Sequence, residues 1–211
     1  MDKTNKVSRK DQILQALARM LEAAPGERIT TAALAKEVGV SEAALYRHFP
    51  SKARMFEGLI KFIEDTLFAR VSRILSEEAS AEVRCQNILL LLLTFCDKNP
   101  GMTRLLTGDA LAGETERLRE RIAQFFSRLE AQLKQVLREA QIRENLKTTI
   151  SPAALANLIL ASAEGRLIQF VRSEFKQSPL EDWEIQWQFL AKDLMVPYSA
   201  PSSAPTTEIT N

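Results

Sequence analysis

The chain has 211 residues, of which 45% are hydrophobic, and a formal net charge of +1. This length and composition can fill a substantial core in one or two domains, and the overall charge alone does not indicate a nucleic-acid-binding protein. Only 7 Gly and 8 Pro occur among many Leu, Ala and charged residues, so the composition predicts an all-α protein.

Three helices are predicted in the N-terminal quarter, and capping residues mark their ends. Segment 1–8 is polar and is expected to be a flexible arm. Apolar residues at helical spacing then predict a helix that Pro25-Gly26 ends. Thr30 or Thr31 offers an N-cap to the second helix, and Gly39 lies where a left-handed C-cap favours glycine. The three predicted helices are Arg9 to about Ala24, Ala32–Val38, and Glu42 to about His48, the last between Ser41 and Phe49-Pro50.

Six further helices are predicted in the rest of the chain. They are Ser51 to about Glu78, Ala81 to about Lys98, Met102–Thr107, Glu114–Ala140, Pro152 to about Phe175, and Leu180 to about Leu194. The first of them is long enough to bridge two domains. We expect the apolar faces of the last two to form a four-helix interface with a second copy, where Gly165 would allow close approach. Leu89–Leu93 is apolar on all sides, which indicates either burial or an exposed groove for a partner.

Residues 29–56 form two short helices joined by a turn that contains glycine, which is the plan of a helix-turn-helix. We expect four residues to pack inward and fix the angle between these helices: Ala35, Val38, Val40 and Leu45. The outward residues of the third helix are short, polar or basic, as insertion into a major groove requires. The expected DNA contacts are Val40, Ser41, Glu42 and Ala44 toward the bases, Thr30, Thr31, Tyr46, His48 and Lys52 toward phosphates, Arg47 on the same outward face, and Arg9 and Lys10 toward the backbone or the minor groove.

Charge and composition divide the chain into parts. Residues 1–56 carry ten Lys and Arg against six Asp and Glu, a net charge of +4, and the remainder sums to −3. A basic module joined to a mildly acidic body is typical of a protein that contacts DNA at one end. The expected parts are an arm at 1–8, a helix-turn-helix domain at 9–52, a helical dimerisation and partner-binding domain at 53–196, and a disordered tail at 197–211, which is rich in Pro, Ser and Thr.

Several other classes of protein are not expected. His48 is the only histidine, and no nucleophile–base pair or metal-ligand spacing occurs, so we predict no enzyme, no metal and no cofactor. Cys85 and Cys96 lie about 16 Å apart along one predicted helix, too far for a disulfide, and are expected to be buried thiols. The longest apolar run, 88–93, is far shorter than the roughly 20 residues of a membrane span, and the polar N-terminus has no signal-peptide pattern. We therefore expect a cytoplasmic protein.

Segment 29–56 resembles the DNA-binding domain of TetR-type regulators. The residues that carry the resemblance are Thr31, Leu34, Ala35, Gly39, Val40, Ser41, Leu45, Tyr46, His48, Phe49 and Lys52. The resemblance implies a three-helix DNA-binding domain followed by an α-helical dimerisation domain. It also implies a homodimer on pseudo-palindromic DNA sites, with one dimer or two at each site.

Further segments resemble the branch of this family that acts in nucleoid occlusion. They are EAALYRHFPSKARMF, the LLLL stretch, NPGMTRLLTG, RIAQFFSRLEAQLKQVLRE and FVRSEFK. The resemblance implies a protein of the nucleoid that, when bound to DNA, antagonises the division protein FtsZ. The residues implied to hold the FtsZ tail, on the fourth and fifth helices, are Phe62, Arg70, Leu91, Thr94, Lys98 and Asn99. Thr94 and Lys98 stand where Gly and Arg are expected. The alternative function is that of a repressor from which a small molecule releases DNA.

Overall fold

The computed structural model describes residues 8–23, 28–78, 80–111 and 113–197. Within these ranges the chain is almost entirely helical, so the all-α prediction is confirmed. The helices are α1 (Arg9–Ala23), α2 (Thr31–Val38), α3 (Glu42–His48), α4 (Lys52–Glu77), α5 (Ala81–Asp97), α6 (Pro100–Leu106), α7 (Glu116–Arg143), α8 (Pro152–Arg172) and α9 (Trp183–Leu194), with a 3-10 turn at Asp109–Leu111.

Capping side chains set the starts of the N-terminal helices as the sequence predicts. Thr30 is the N-cap of α2, and its hydroxyl accepts from the amide of Ala33 at 3.2 Å. Ser41 caps α3 in the same way, which satisfies an amide that has no partner inside the helix. Gly39 ends α2 at φ 72°, in the left-handed region that glycine adopts without a steric penalty. The predicted stop at 25–26 lies outside the described residues.

Helix boundaries in the second half differ from prediction by a few residues. Helix α6 begins at Pro100 rather than Met102, because proline lacks only an amide that the first helical turn does not use. Helix α7 continues to Arg143, and α8 ends at Arg172 rather than near Phe175. Glu174 and Phe175 have φ values of 52° and 66°, which no right-handed helix accommodates.

Two short strands form a ribbon that the sequence analysis did not predict. Strand β1 (Leu146–Thr148) pairs antiparallel with β2 (Met195–Pro197), so that Thr148 faces Met195 and Leu146 faces Pro197. The ribbon joins the end of α9 to the connection between α7 and α8. Pro197, which the sequence analysis placed in the tail, therefore belongs to a strand, and the rest of that tail lies outside the described residues.

Helices α1, α2 and α3 pack around a small apolar core. Leu45 of α3 is completely buried, and Ala35 of α2 is 4% exposed. Val38 and Val40 are partly buried against the same core, so the four residues predicted to pack inward do so. This packing fixes α3 on its inner side and leaves its outer side in solvent.

The longer helices form the body of the protein. In the apolar run of α5, Leu89, Leu92 and Leu93 are buried, and Leu90 and Leu91 are partly buried. Burial therefore accounts for most of that run. Helix α8 is long and apolar enough to cross a membrane by length and composition, but so are core helices, and one face of α8 packs in this core.

Helices α1 and α6 join the three N-terminal helices to the body through a close backbone contact. A Cβ atom built on Gly101 of α6 would lie 2.0 Å from the carbonyl oxygen of Ala18, so only glycine fits there. Arg104 is 2% exposed, and its guanidinium donates to the Leu21 carbonyl at 2.6 Å and to Asp109 at 2.5 Å. The end of α1 is therefore held by a buried charge from the other domain.

Candidate nucleic-acid interface

Helix α3 presents a continuous outer face that makes no contact with the core. Ser41, Glu42, Tyr46 and Arg47 are exposed, and Tyr46 has an exposed fraction of 42%. The helix has seven residues, and the buried side chain of Leu45 anchors its inner side. A short, rigid, polar helix of this kind fits the major groove, which is about 12 Å wide. The geometry therefore makes this face the candidate interface.

The remaining residues of α3 lie at the edge of that face. Ala44 and His48 are half-buried, Val40 lies partly buried in the turn before the helix, and Ala43 is exposed. The sequence analysis did not include Ala43 among the contacts, because a helix of two turns gives too short a pattern to place each position. A small side chain there keeps the outer surface of α3 close to any duplex it meets.

The start of α2 lies beside α3 and is bonded to it. The hydroxyl of Thr31 donates to Oε2 of Glu42 at 2.8 Å, and the Tyr46 hydroxyl donates to Oγ1 of Thr31 at 3.4 Å. Thr30 is exposed and uses its hydroxyl oxygen as the cap of α2. The structure thus brings Thr30, Thr31, Glu42 and Tyr46 together on one surface.

Lys52 is occupied within the protein. Its Nζ lies 2.6 Å from Oε1 of Glu114 and 5.5 Å from the centre of the Phe56 ring, and its side chain is only 20% exposed. In this arrangement Lys52 neutralises Glu114 at the boundary between the domains. A phosphate contact from Lys52 would require this pair to open.

The first turn of α1 places two further cations at the surface. Arg9 is exposed and donates to the Gln12 side chain at 2.8 Å. Lys10 is exposed, and its Nζ lies 5.7 Å from the centre of the Phe49 ring, directly after α3. Lys10 therefore lies near the end of α3, whereas the bond of Arg9 stays within the first turn of α1.

A second candidate surface lies on α4, α5 and the start of α6. Phe62 has an exposed fraction of 48%, which is unusual for a large apolar side chain, and Arg70 on the same helix is exposed. On α5, Leu91 and Thr94 are half-buried, and Lys98 at its end is exposed. The Asn99 amide donates to the Phe95 carbonyl at 2.7 Å. Lys98 and Asn99 also line a shallow groove of about 220 Å³ between α1 and α6.

Helices α8 and α9 carry a third set of exposed apolar side chains, which the described residues do not cover. The large side chains of this set are Leu158, Ile168, Ile185 and Phe189. A Cβ built on Gly165, one turn before Ile168, would meet no atom within 4 Å. Burial and the neighbouring Glu130 raise the pKa of Glu164 beside it. Exposed apolar side chains on two adjacent helices are typical of a protein–protein interface.

The two cysteines are chemically protected. Cys85 and Cys96 are fully buried, and burial raises the pKa of each thiol to about 12. No group of His, Cys, Asp and Glu that could hold a metal ion occurs among the residues described. These thiols act as small apolar side chains of the core.

Comparison with known families matches both halves of the chain. Residues 13–59 match the family of bacterial regulatory proteins of the tetR type, and residues 79–195 match the SlmA-like family of tetracyclin repressor-like C-terminal domains. The nucleoid occlusion factor SlmA of Marinomonas sp. is 60% identical over 90% of this chain and 97% of its own length. The nucleoid occlusion factor SlmA of Shewanella amazonensis is 59% identical over 90% of this chain and 96% of its own length.

Solved structures share the fold at much lower identity. The regulator FadR of Bacillus subtilis, solved in complex with stearoyl-CoA, superposes with a TM-score of 0.75 at 15% identity over 87% of this chain and 98% of its own. A TetR transcription regulator from Haloarcula marismortui superposes with a TM-score of 0.75 at 20% identity, over 89% of this chain and 98% of its own. At these identities the likeness concerns the fold alone.

Proposed function

We propose, because the chain belongs to the SlmA family of nucleoid occlusion factors within the TetR-type regulators, that it is a dimeric, sequence-specific DNA-binding protein acting in nucleoid occlusion. It carries out this role on the chromosome, in the nucleoid. The relatives that it matches are named as regulators and nucleoid occlusion factors, and we assign it no enzymatic activity.

The single observation that supports DNA binding most directly is the free outer face of α3. The helix is capped by Ser41, anchored by Leu45 and open to solvent along Glu42, Tyr46 and Arg47. In the proposed complex this face enters the major groove, and the start of α2 lies on the adjacent phosphates. The proposed contacts are Arg9, Lys10, Thr30, Thr31, Val40, Ser41, Glu42, Ala44, Tyr46, Arg47 and His48, with Lys52 joining only if its pair with Glu114 opens. The hydroxyls of Thr31 and Tyr46 would donate to phosphate only if their bonds to Glu42 and Thr31 open.

Dimerisation follows from the apolar surface on α8 and α9. Two such helices from each copy would form a four-helix interface that covers Leu158, Ile168, Ile185 and Phe189. Gly165 would allow the two copies of α8 to approach closely. A two-fold dimer presents two recognition helices, so each DNA site should be a pseudo-palindrome with half-sites about 34–36 Å apart, or a multiple of that spacing.

The division protein FtsZ is the proposed second partner. Its tail would bind on α4 and α5, where Phe62 and Arg70 are exposed, together with Leu91, Thr94, Lys98 and Asn99. The contact between α1 and α6 supports coupling of the two activities. Arg104 and Gly101 tie α1 directly to the segment that follows Lys98 and Asn99, so a movement of the DNA-binding domain would be felt there.

A ligand-responsive repressor is less well supported. In the described part of the chain the buried polar side chains are Thr103, Arg104 and Thr148. Thr103 and Arg104 make hydrogen bonds within the protein, and Thr148 belongs to the ribbon. Relatives at about 60% identity are named as nucleoid occlusion factors, whereas the stearoyl-CoA-binding neighbour is 15% identical.

Sedimentation of FtsZ polymers tests this proposal. We expect the protein with its cognate duplex to reduce the amount of pelleted FtsZ, and the protein alone to have a weaker effect. Arg47→Ala should lose both duplex binding and the duplex-dependent effect. Arg138→Ala is the matched control, because Arg138 is exposed on α7 and belongs to neither of the two proposed binding surfaces. A duplex that makes no difference, together with release of DNA by a small molecule, would contradict the proposal.

A further inference from the structure

A chain of hydrogen bonds joins α2 to the outer face of α3 and ends on a carboxylate. Tyr46 donates its hydroxyl proton to Oγ1 of Thr31, and Thr31 donates its own proton to Oε2 of Glu42. A hydroxyl has a single proton to donate. The Tyr46 proton is used on Thr31 and the Thr31 proton on Glu42, so neither hydroxyl is a free donor to a phosphate in this arrangement.

Glu42 ends this chain of hydrogen bonds and keeps one carboxylate oxygen that the chain does not use. It is the first residue of α3, it is exposed, and one of its two carboxylate oxygens is engaged with Thr31. In the described part of the chain no ion pair engages Glu42. Because Glu42 is exposed and Thr31 engages only Oε2, the second oxygen remains available as an acceptor for a group outside the protein.

A negative charge on this surface restricts what Glu42 can contact. DNA phosphates repel the Glu42 carboxylate, so Glu42 cannot contact the DNA backbone. In the major groove only cytosine N4 and adenine N6 donate protons, while guanine presents two acceptors and thymine an acceptor and a methyl group. Adenine also carries the N7 lone pair beside N6, and this lone pair repels a carboxylate that accepts from N6. Cytosine is therefore the base that suits a carboxylate.

We propose that Glu42 is a specificity-determining residue that reads one cytosine in each half-site, held in position by Thr31 and Tyr46. This inference rests on the proposed function, in which α3 enters the major groove. The carboxylate contributes specificity in two ways, because it accepts a proton from cytosine and repels the acceptor atoms of guanine and thymine.

A purely structural role for Glu42 predicts a different behaviour. An acidic residue in the first turn also stabilises the helix dipole, and the bond to Thr31 braces α2 against α3. Glutamine keeps an oxygen that accepts from Thr31 but removes the charge and supplies a donor. Glu42→Gln therefore separates base reading from bracing, because glutamine pairs with adenine through both N6 and N7.

The experiment is selection of binding sites from a randomised duplex pool, followed by affinity measurements on the selected sites. We expect the wild-type protein to enrich cytosine at one symmetric position, with a preference of about tenfold to a hundredfold over the other bases. Glu42→Gln should shift that position toward adenine and leave the others unchanged. Glu37→Gln is the matched control for the change in charge, because Glu37 lies on α2 in an exposed pair with Arg19.

The outcomes distinguish this inference from the function on which it rests. If Glu42→Gln and wild type select the same sites, or if the variant loses affinity equally for every sequence, Glu42 is a brace and the inference is overturned. If the wild-type protein enriches no sequence at all, the proposed DNA-binding function fails, and this inference fails with it. A change of base that also appears in Glu37→Gln would likewise overturn it.

Discussion

Gly101→Ala tests whether the contact between α1 and α6 is as close as the structure shows. The new Cβ would lie 2.0 Å from the carbonyl oxygen of Ala18 and 2.9 Å from the amide nitrogen of Glu22. Both atoms belong to the backbone of α1, so no side-chain rotation can relieve the overlap, and the two helices must separate by more than an ångström. Overpacking of this kind costs about 1–3 kcal/mol, from which a helix-propensity gain of about 1 kcal/mol is subtracted.

Because the obstructing atoms belong to the backbone, we expect an overpacking cost near the upper limit of about 3 kcal/mol. After the propensity gain is subtracted, the free energy of unfolding should fall by about 2 kcal/mol. In a chain of this size the midpoint of thermal unfolding should fall by about 4–8 °C. Circular dichroism at fixed protein concentration measures this change, and a duplex-binding assay shows whether the DNA-binding domains still fit their site. Gln135→Ala, at an exposed position on α7 away from this contact, is the control and should change stability by less than about 0.5 kcal/mol. A Gly101→Ala protein as stable as wild type would refute the reasoning.

Two further predictions concern the thiols and the dimer. At pH 8 native Cys85 and Cys96 should resist alkylation until denaturant is added, because burial raises the pKa of each to about 12; rapid labelling of the native protein would contradict their burial. Thiols of the unfolded chain ionise near pH 9, whereas the buried thiols of the folded protein stay protonated up to about pH 12. The contribution of these thiols to stability is therefore complete below pH 9, and the free energy of unfolding should fall between pH 9 and 12. Gly165→Leu should leave the subunit folded but weaken the dimer at least tenfold in analytical ultracentrifugation, since a Cβ at this position meets no described atom within 4 Å. Ala131→Leu, at an exposed position on α7, is its control, and an unchanged dimer in Gly165→Leu would place the interface elsewhere.

Local patterns were sufficient to predict the helices of the DNA-binding domain. Thr30, Gly39 and Ser41 mark helix ends through contacts with backbone atoms a few residues away, and the helical periodicity of buried side chains reports which face is inward. Boundaries near Pro100 and Phe175 were predicted less well, because proline is compatible with a first helical turn and because positive φ at a non-glycine residue has no clear sequence pattern.

The sequence by itself thus determined the all-α class, the helix-turn-helix and the residues on its outer face, because each depends on neighbours within one or two helical turns. Only the tertiary structure decided which of those side chains are free. It pairs Lys52 with Glu114, 62 positions away, and bonds Thr31 to Glu42 and Tyr46. It also joins β1 to β2 and α1 to α6. These contacts join segments distant along the chain, and their partners are chosen by packing in three dimensions, which no local pattern encodes.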